Sequence, residues 1–286
     1  MLSSITTQHI DKHNMSTTPP FIRTQKLQLH GWWITACLMS INIALFLWQI
    51  SSGVNASQPS TLDALAWGAD YAPLTFLQEP WRLFSSMFFH FGLIHLMLNM
   101  WALYIFGNVA EQLFGRGYFV GVYIFSGLMG SLLSGYLDIQ HSLQMLSLNA
   151  LQPELLPRVS AGASGAVMGI GGALTLLSLL PVLKRQKFIL DKKTLLMVMG
   201  INLVIGFMTA GINNAAHIGG MLMGALLALL WYIAGKYQSV WLKVLSLFLA
   251  LLLCIGFYLY CQQQVHILQP FWQEILQLMH SELNKT

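Results

Sequence analysis

Two side chains have the types and the setting that nucleophilic catalysis requires. They are Ser164, in Gly162-Ala163-Ser164-Gly165, and His217, in Ala216-His217-Ile218-Gly219-Gly220. A serine hydroxyl is a poor nucleophile until a base takes its proton, and a nearby imidazole can be that base. Each stands at the start of a long apolar stretch, where a polar or ionisable group is costly and calls for a role. Alone, Gly-x-Ser-Gly is equally a small-residue helix crossing. A lone membrane histidine is equally a structural hydrogen bond, a proton path or a metal ligand. It is their joint occurrence at matching depth that points to a pair.

His95 and Asn99 are four residues apart, so they share one face of a helix. Both can donate hydrogen bonds, as a developing oxyanion requires in a water-poor site; polar glue between helices is the alternative. His90, five residues before His95, points elsewhere and is expected to satisfy loop backbone. Asn42 and Asn202 complete the polar set within apolar runs. Glu111, Asp138, Glu154 and Asp191 are read as lying in connections, leaving no carboxylate to orient His217. A Ser/His dyad is therefore expected instead of a triad. The positive end of the helix beneath His217 would disfavour the imidazolium and help keep the base neutral.

The elements that must position these groups follow from composition. The 286 residues are 56% hydrophobic and 8% charged, too apolar for a soluble domain, so an all-α polytopic membrane protein is expected. A crossing needs about 20 apolar residues. Seven stretches qualify: Trp32–Ile50, Phe88–Val109, Tyr118–Leu137, Ser164–Leu183, Leu195–Gly211, Ala215–Ala234 and Val240–Tyr260. Glycines 169, 171 and 172 follow Ser164, and Gly220 and Gly224 follow His217, allowing close helix contact. Cys37, Cys254 and Cys261 sit in or beside apolar runs as small hydrophobes. Neither a disulfide framework, a metal site nor a cofactor is implied, and no nucleic-acid-reading element is visible.

Basic residues set the orientation. A cytoplasmic N-terminus puts Lys12, Arg23, Lys26, Arg116, Lys184, Arg185, Lys187, Lys192, Lys193, Lys236 and Lys243 inside, and only Arg82, Arg158 and Lys285 outside. Ser164 and the start of the sixth stretch then face the exterior, as does the C-terminal tail. Residues 1–30 read as a short, loose tail without the form of a cleaved signal. Two exterior connections are long, Ser51–Met87 and Asp138–Ala163. The first is rich in apolar residues, from Leu62 to Trp81, and reads as an interfacial segment or as a cap packed on itself.

Taken together, Trp81-Arg82, His90-Phe91-Gly92-Leu93-Ile94-His95 followed by Asn99, Gly162-Ala163-Ser164-Gly165, and Ala216-His217-Ile218-Gly219-Gly220 with Gly224 resemble the rhomboid proteases in type and order. The resemblance spans roughly Trp32 to Ala234. It implies a six-helix rhomboid bundle at 31–235, with one additional transmembrane helix and an external tail at 236–286. It also implies a serine endopeptidase acting on transmembrane protein substrates within the lipid bilayer, with Ser164 as nucleophile and His217 as base. His95, Asn99 and the Ser164 N–H would be the oxyanion donors, and the Trp81-Arg82 loop would flank the site. Met168 stands where some relatives carry an aromatic residue. The expected location is the bacterial inner (cell) membrane. Two other classes are a catalytically dead relative that binds membrane clients, and a channel using His95, Asn99 and His217 as a polar path.

Overall fold

The computed structural model describes residues 21–22, 31–148, 152–184, 186–208 and 212–283. Most of the expected 1–30 tail, Arg185, Gly211 and the last three residues lie outside these. The described chain is helical: α1 (Trp33–Ser51), α2 (Thr61–Ala66), α3 (Ala72–Leu77), α4 (Arg82–Ser85), α5 (Leu93–Ala102), α6 (Asn108–Phe114), α7 (Arg116–Leu148), α8 (Ser164–Leu179), α9 (Lys192–Met208), α10 (Asn214–Lys236) and α11 (Val240–Leu283). α5 runs into α6 through a π-helical turn, Leu103–Gly107, making one rod. Among the described residues, five helices are long and apolar enough to cross a membrane: α1, the α5–α6 rod, α7, α10 and α11.

α8 has 16 residues and α9 has 17, shorter than a full crossing. α8 stops before the expected Leu183 because Leu180 precedes Pro181 and takes an extended conformation, φ −92° and ψ 154°, which the proline ring favours. At 1.5 Å per residue α8 is about 24 Å long, against a hydrocarbon core of about 30 Å.

α8 is held by α7 and α10 on two sides through glycine. A Cβ on Gly220 or Gly224 would land on the carbonyl of Gly165 or Gly169, and one on Gly172 would come 2.8 Å from the Met221 carbonyl. On the α7 side, a Cβ on Gly169 would land on Ser126; α7 and α10 meet in turn, where a Cβ on Gly130 would lie 2.7 Å from the Ala216 carbonyl and one on Gly219 2.6 Å from that of Met129. Backbones in such contact gain dispersion that larger side chains would exclude. Asn42 and Asn202 donate to the Leu38 and Val198 carbonyls of their own helices.

Two carboxylates read as loop residues are helical. The π turn carries the second rod to Phe114, so Glu111 is buried within it. Its oxygens accept from Ile34 N, Thr35 N and Thr35 Oγ1 at 3.0, 2.8 and 2.8 Å, capping the N-terminus of α1. Asp138 is helical because α7 continues to Leu148, shortening the expected 138–163 connection. Of the N-terminal segment, Phe21 is buried against Phe106 at 5.8 Å, and Ile22 bridges to Leu190. These two residues are docked, not loose.

The long connection between α1 and α5 packs largely on itself and on its neighbours. Leu65, Tyr71, Leu74 and Phe76 are buried, while Leu62 and Trp81 are exposed. Ser60 and Asp63 form a reciprocal cap on α2. Buried Arg82 donates to the Leu65 and Ala69 carbonyls, both at 2.8 Å, and to Glu79. The Asp70 carboxylate accepts from Thr75 Oγ1 at 2.6 Å. Burial pushes it up from 3.8 to about 6, against the opposing pull of the Thr75 hydroxyl and Arg82.

Gly220→Ala should cost roughly 1–3 kcal/mol or more through overpacking, seen as a lower Tm in detergent. Gly256→Ala should be neutral or mildly stabilising, because no atom lies within 4 Å of its Cβ position. Equal Tm values for the two variants would contradict the glycine-seam account.

Because its folded pKa is raised, Asp70 contributes stability that is present below about 3.8 and lost as pH rises through about 6. Amide protection in α2 and α3, corrected for intrinsic exchange, should therefore gain an increment between pH 7 and 4 that Asp70→Asn lacks. Parallel profiles for the two proteins would remove Asp70 as the source.

Candidate active site

Ser164 is the first residue of α8, and His217 lies in the first turn of α10. The glycine seam between the two helices sets the distance. His217 Nε2 is 2.9 Å from Ser164 Oγ, within reach for proton transfer. His217 Nδ1 is buried and has no hydrogen-bond partner among the described residues. The ring therefore has no carboxylate behind it: the Glu111 oxygens are engaged on α1, and Asp138 lies near Asp70 and Tyr71.

The backbone that delivers the serine is tied down on both sides. Gly162 has φ +124°, a left-handed conformation that glycine tolerates and other residues rarely adopt. Its N–H donates to the Ser86 carbonyl at 2.8 Å. The next N–H, of Ala163, reaches His90 Nε2 at 3.5 Å, so His90 serves loop backbone, as expected. As the first residue of α8, Ser164 has an N–H with no intrahelical acceptor.

His95 lies against this turn. A Cβ on Gly162 would fall 2.8 Å from its Cε1 and 3.0 Å from its Nε2. His95 Nδ1 accepts the Phe91 N–H at 3.2 Å, so the neutral ring carries its proton on Nε2, the nitrogen beside the Gly162 turn. Asn99 is buried one turn further along. It donates one amide hydrogen to the His95 carbonyl at 3.0 Å, leaving the other for a second acceptor. Met168 is buried in the core one turn into α8.

Asn213 is a site residue that the motif reading did not single out. Its side chain accepts from Ala216 N at 3.0 Å as the N-cap of α10. It also donates to Ser160 Oγ at 2.9 Å and to Ser134 Oγ. One residue thus fixes the start of the histidine helix to the segment leading into the serine turn. An asparagine just before a helical run was the available signal.

The chain has several known relatives. A family model described as the rhomboid domain matches residues 77–234. Rhomboid protease GluP of Bacillus subtilis (strain 168) is 32% identical over 210 residues, covering 72% of this chain and 37% of GluP. Rhomboid protease AarA of Providencia stuartii is 29% identical over 241 residues, covering 79% of this chain and 82% of AarA. The mitochondrial RHOMBOID-like protein 6 of Arabidopsis thaliana is 36% identical over 167 residues, covering 58% of this chain and 48% of the relative. The matched part thus spans about a third to a half of the first and third of these proteins and most of the second. With its serine turn, histidine helix and glycine seam all inside the matched region, this integral membrane chain belongs to the rhomboid family.

Proposed function

We propose that the chain is an intramembrane serine endopeptidase in which Ser164 and His217 act as a dyad. The observation that carries the reading is the 2.9 Å approach of His217 Nε2 to Ser164 Oγ, in a family whose relatives GluP and AarA are named as proteases. Ser164 Oγ attacks the scissile carbonyl as His217 Nε2 takes its proton. The carbonyl oxygen becomes an oxyanion, met by the Ser164 N–H, His95 Nε2–H and the free Asn99 amide hydrogen. The proton on His217 then passes to the leaving nitrogen as the C–N bond breaks, leaving an acyl ester on Ser164. Water attacks the ester, giving its proton to His217 and then to Oγ as the new carboxylic acid departs.

The basic-residue bias supports an inside N-terminus in a bacterial inner (cell) membrane. In this reading six helices form the protease bundle at 31–235, α8 and α9 being its short members. α11 is the appended seventh, continuing into the exterior. The substrate is a transmembrane segment. Its helical carbonyls are already hydrogen-bonded, so Ser164 reaches one only where that helix opens. The position of Ser164 as the first residue of α8, at its exterior end in this reading, supports a cut near the exterior interface.

Ser164→Ala and His217→Ala should each abolish cleavage of a model transmembrane substrate while leaving a folded protein, since the pair acts as one unit. A fluorophosphonate should label Ser164 and fail on Ser164→Ala. His95→Ala and Asn99→Ala should each lower kcat by roughly 10²- to 10³-fold, with KM changed much less. Loss of thermal stability with unchanged turnover per folded molecule would assign His95 and Asn99 to helix packing instead.

Glycine weakens a helix by about 1 kcal/mol per residue, so a Gly-Ala pair moved along the substrate in one-turn steps should be cut best near the exterior boundary. Efficient cutting at the bilayer centre or the cytoplasmic end would overturn both the depth of the site and the inside N-terminus.

A further inference from the structure

The final helix is longer than a crossing requires. α11 runs for 44 residues, about 66 Å at 1.5 Å per residue, roughly twice the hydrocarbon core. Beyond Cys261 it changes character. Val265, Leu268, Trp272 and Leu276 are buried at spacings of three and four, a stripe that turns toward a packed neighbour. The other sides expose His266, Gln269, Gln273, Glu274 and Gln277, along with the apolar Ile267 and Leu278. Pro270, which removes one helical hydrogen bond, also lies on the exposed face.

The neighbours of the stripe are the far end of α7 and the α2–α3 segment. Trp272 is fully buried and donates its indole N–H to Ser142 Oγ of α7 at 3.1 Å. Leu276 closes a cluster with Leu65, Tyr71 and Leu74. Gln262 donates to the Phe76 carbonyl at 2.8 Å, a last-turn carbonyl of α3 that has no intrahelical donor. The Tyr258 ring stacks on Phe76 with centroids 5.7 Å apart.

From α2–α3 a path of hydrogen bonds continues to the dyad. Asp70 exchanges two backbone hydrogen bonds with Ser160, both 2.8 Å. Ser160 accepts from Asn213, which caps α10 four residues before His217. Each step is a bond between named atoms.

We propose that the second half of α11 is a positioning element for the reaction. Through the Asp70–Ser160 bridge it holds the α2–α3 segment beside the turn that delivers Ser164, as a fixed wall against which the exterior end of a substrate helix is received, with Gln262 and Trp272 as positioning residues. The proposal rests on the hydrolase reading above. A protein substrate needs both the wall and the dyad, whereas a small fluorophosphonate needs the dyad alone.

The test uses full-length Gln262→Leu, Trp272→Ala and Trp272→Phe proteins in detergent micelles. In Gln262→Leu and Trp272→Ala, kcat/KM on a transmembrane substrate with a Gly-Ala pair at the exterior boundary should fall about tenfold, the order expected when a buried acceptor or packed ring loses its partner. The loss should appear mainly in KM. Fluorophosphonate labelling of Ser164 should proceed at the native rate, and amide protection should drop in α2 and α3 but not in α8 or α10. Trp272→Phe, which keeps a ring in the stripe, should retain most of the activity. Native cleavage and native α2–α3 protection in both damaging variants would overturn the proposal. So would a parallel loss of labelling, cleavage and protection throughout, which would reduce α11 to general support of the fold. If Ser164 of the native chain is not labelled at all, the hydrolase reading fails instead, and the α2–α3 protection data still decide whether α11 holds that segment.

Discussion

The close approach of α8 to α10 is the constraint on which the rest depends. The proposed dyad has no carboxylate behind its imidazole among the described residues, so it rests on geometry, a 2.9 Å gap between side chains on different helices. Helices in lipid gain no hydrophobic stabilisation from meeting one another, so they associate through packing and hydrogen bonds. Glycines 165, 169, 220 and 224 remove the side chains that would hold the backbones apart. The same glycines that stabilise the bundle therefore set the distance between Ser164 and His217.

Hydrogen bonds at the N-terminal ends of α8 and α10 set the remaining freedom. Gly162 turns left-handed and ties back to Ser86, and Asn213 anchors the start of α10 to Ser160. His95 is fixed as the Nε2–H tautomer by the Phe91 N–H. Among the described residues these polar groups gather around the N-terminal ends of α8 and α10, whereas the channel reading needs a polar path through the full membrane depth. Glu111, the buried carboxylate of the second rod, is consumed in capping α1 and is not part of the dyad.

Much of the candidate site was legible from residue types. Ser164 and His217 announce themselves because polar groups in apolar runs are costly, and the Gly220/Gly224 spacing marks one helix face. His95 and Asn99 follow from a four-residue interval. Helix ends were less legible. The π turn that carries Glu111 into the second rod, and the continuation of α7 past Asp138, leave no mark in a hydropathy pattern. Pro181 did mark the end of α8, but the apolar residues around it, Leu180 and Leu183, masked the stop.

The sequence by itself determined the class of protein, the apolar helices and the pairing of a serine with a histidine, because each depends on composition or on intervals within one element. Tertiary structure alone decided what depends on separate segments meeting. It joins Asn213 to Ser160 and Asp70 to Ser160, and it turns the C-terminal tail into a helix packed on α2–α3 and α7. The stripe Val265, Leu268, Trp272 and Leu276 is written in the chain, but an amphipathic stripe names no partner. Which surface it covers is decided only when distant segments fold against one another and bury it.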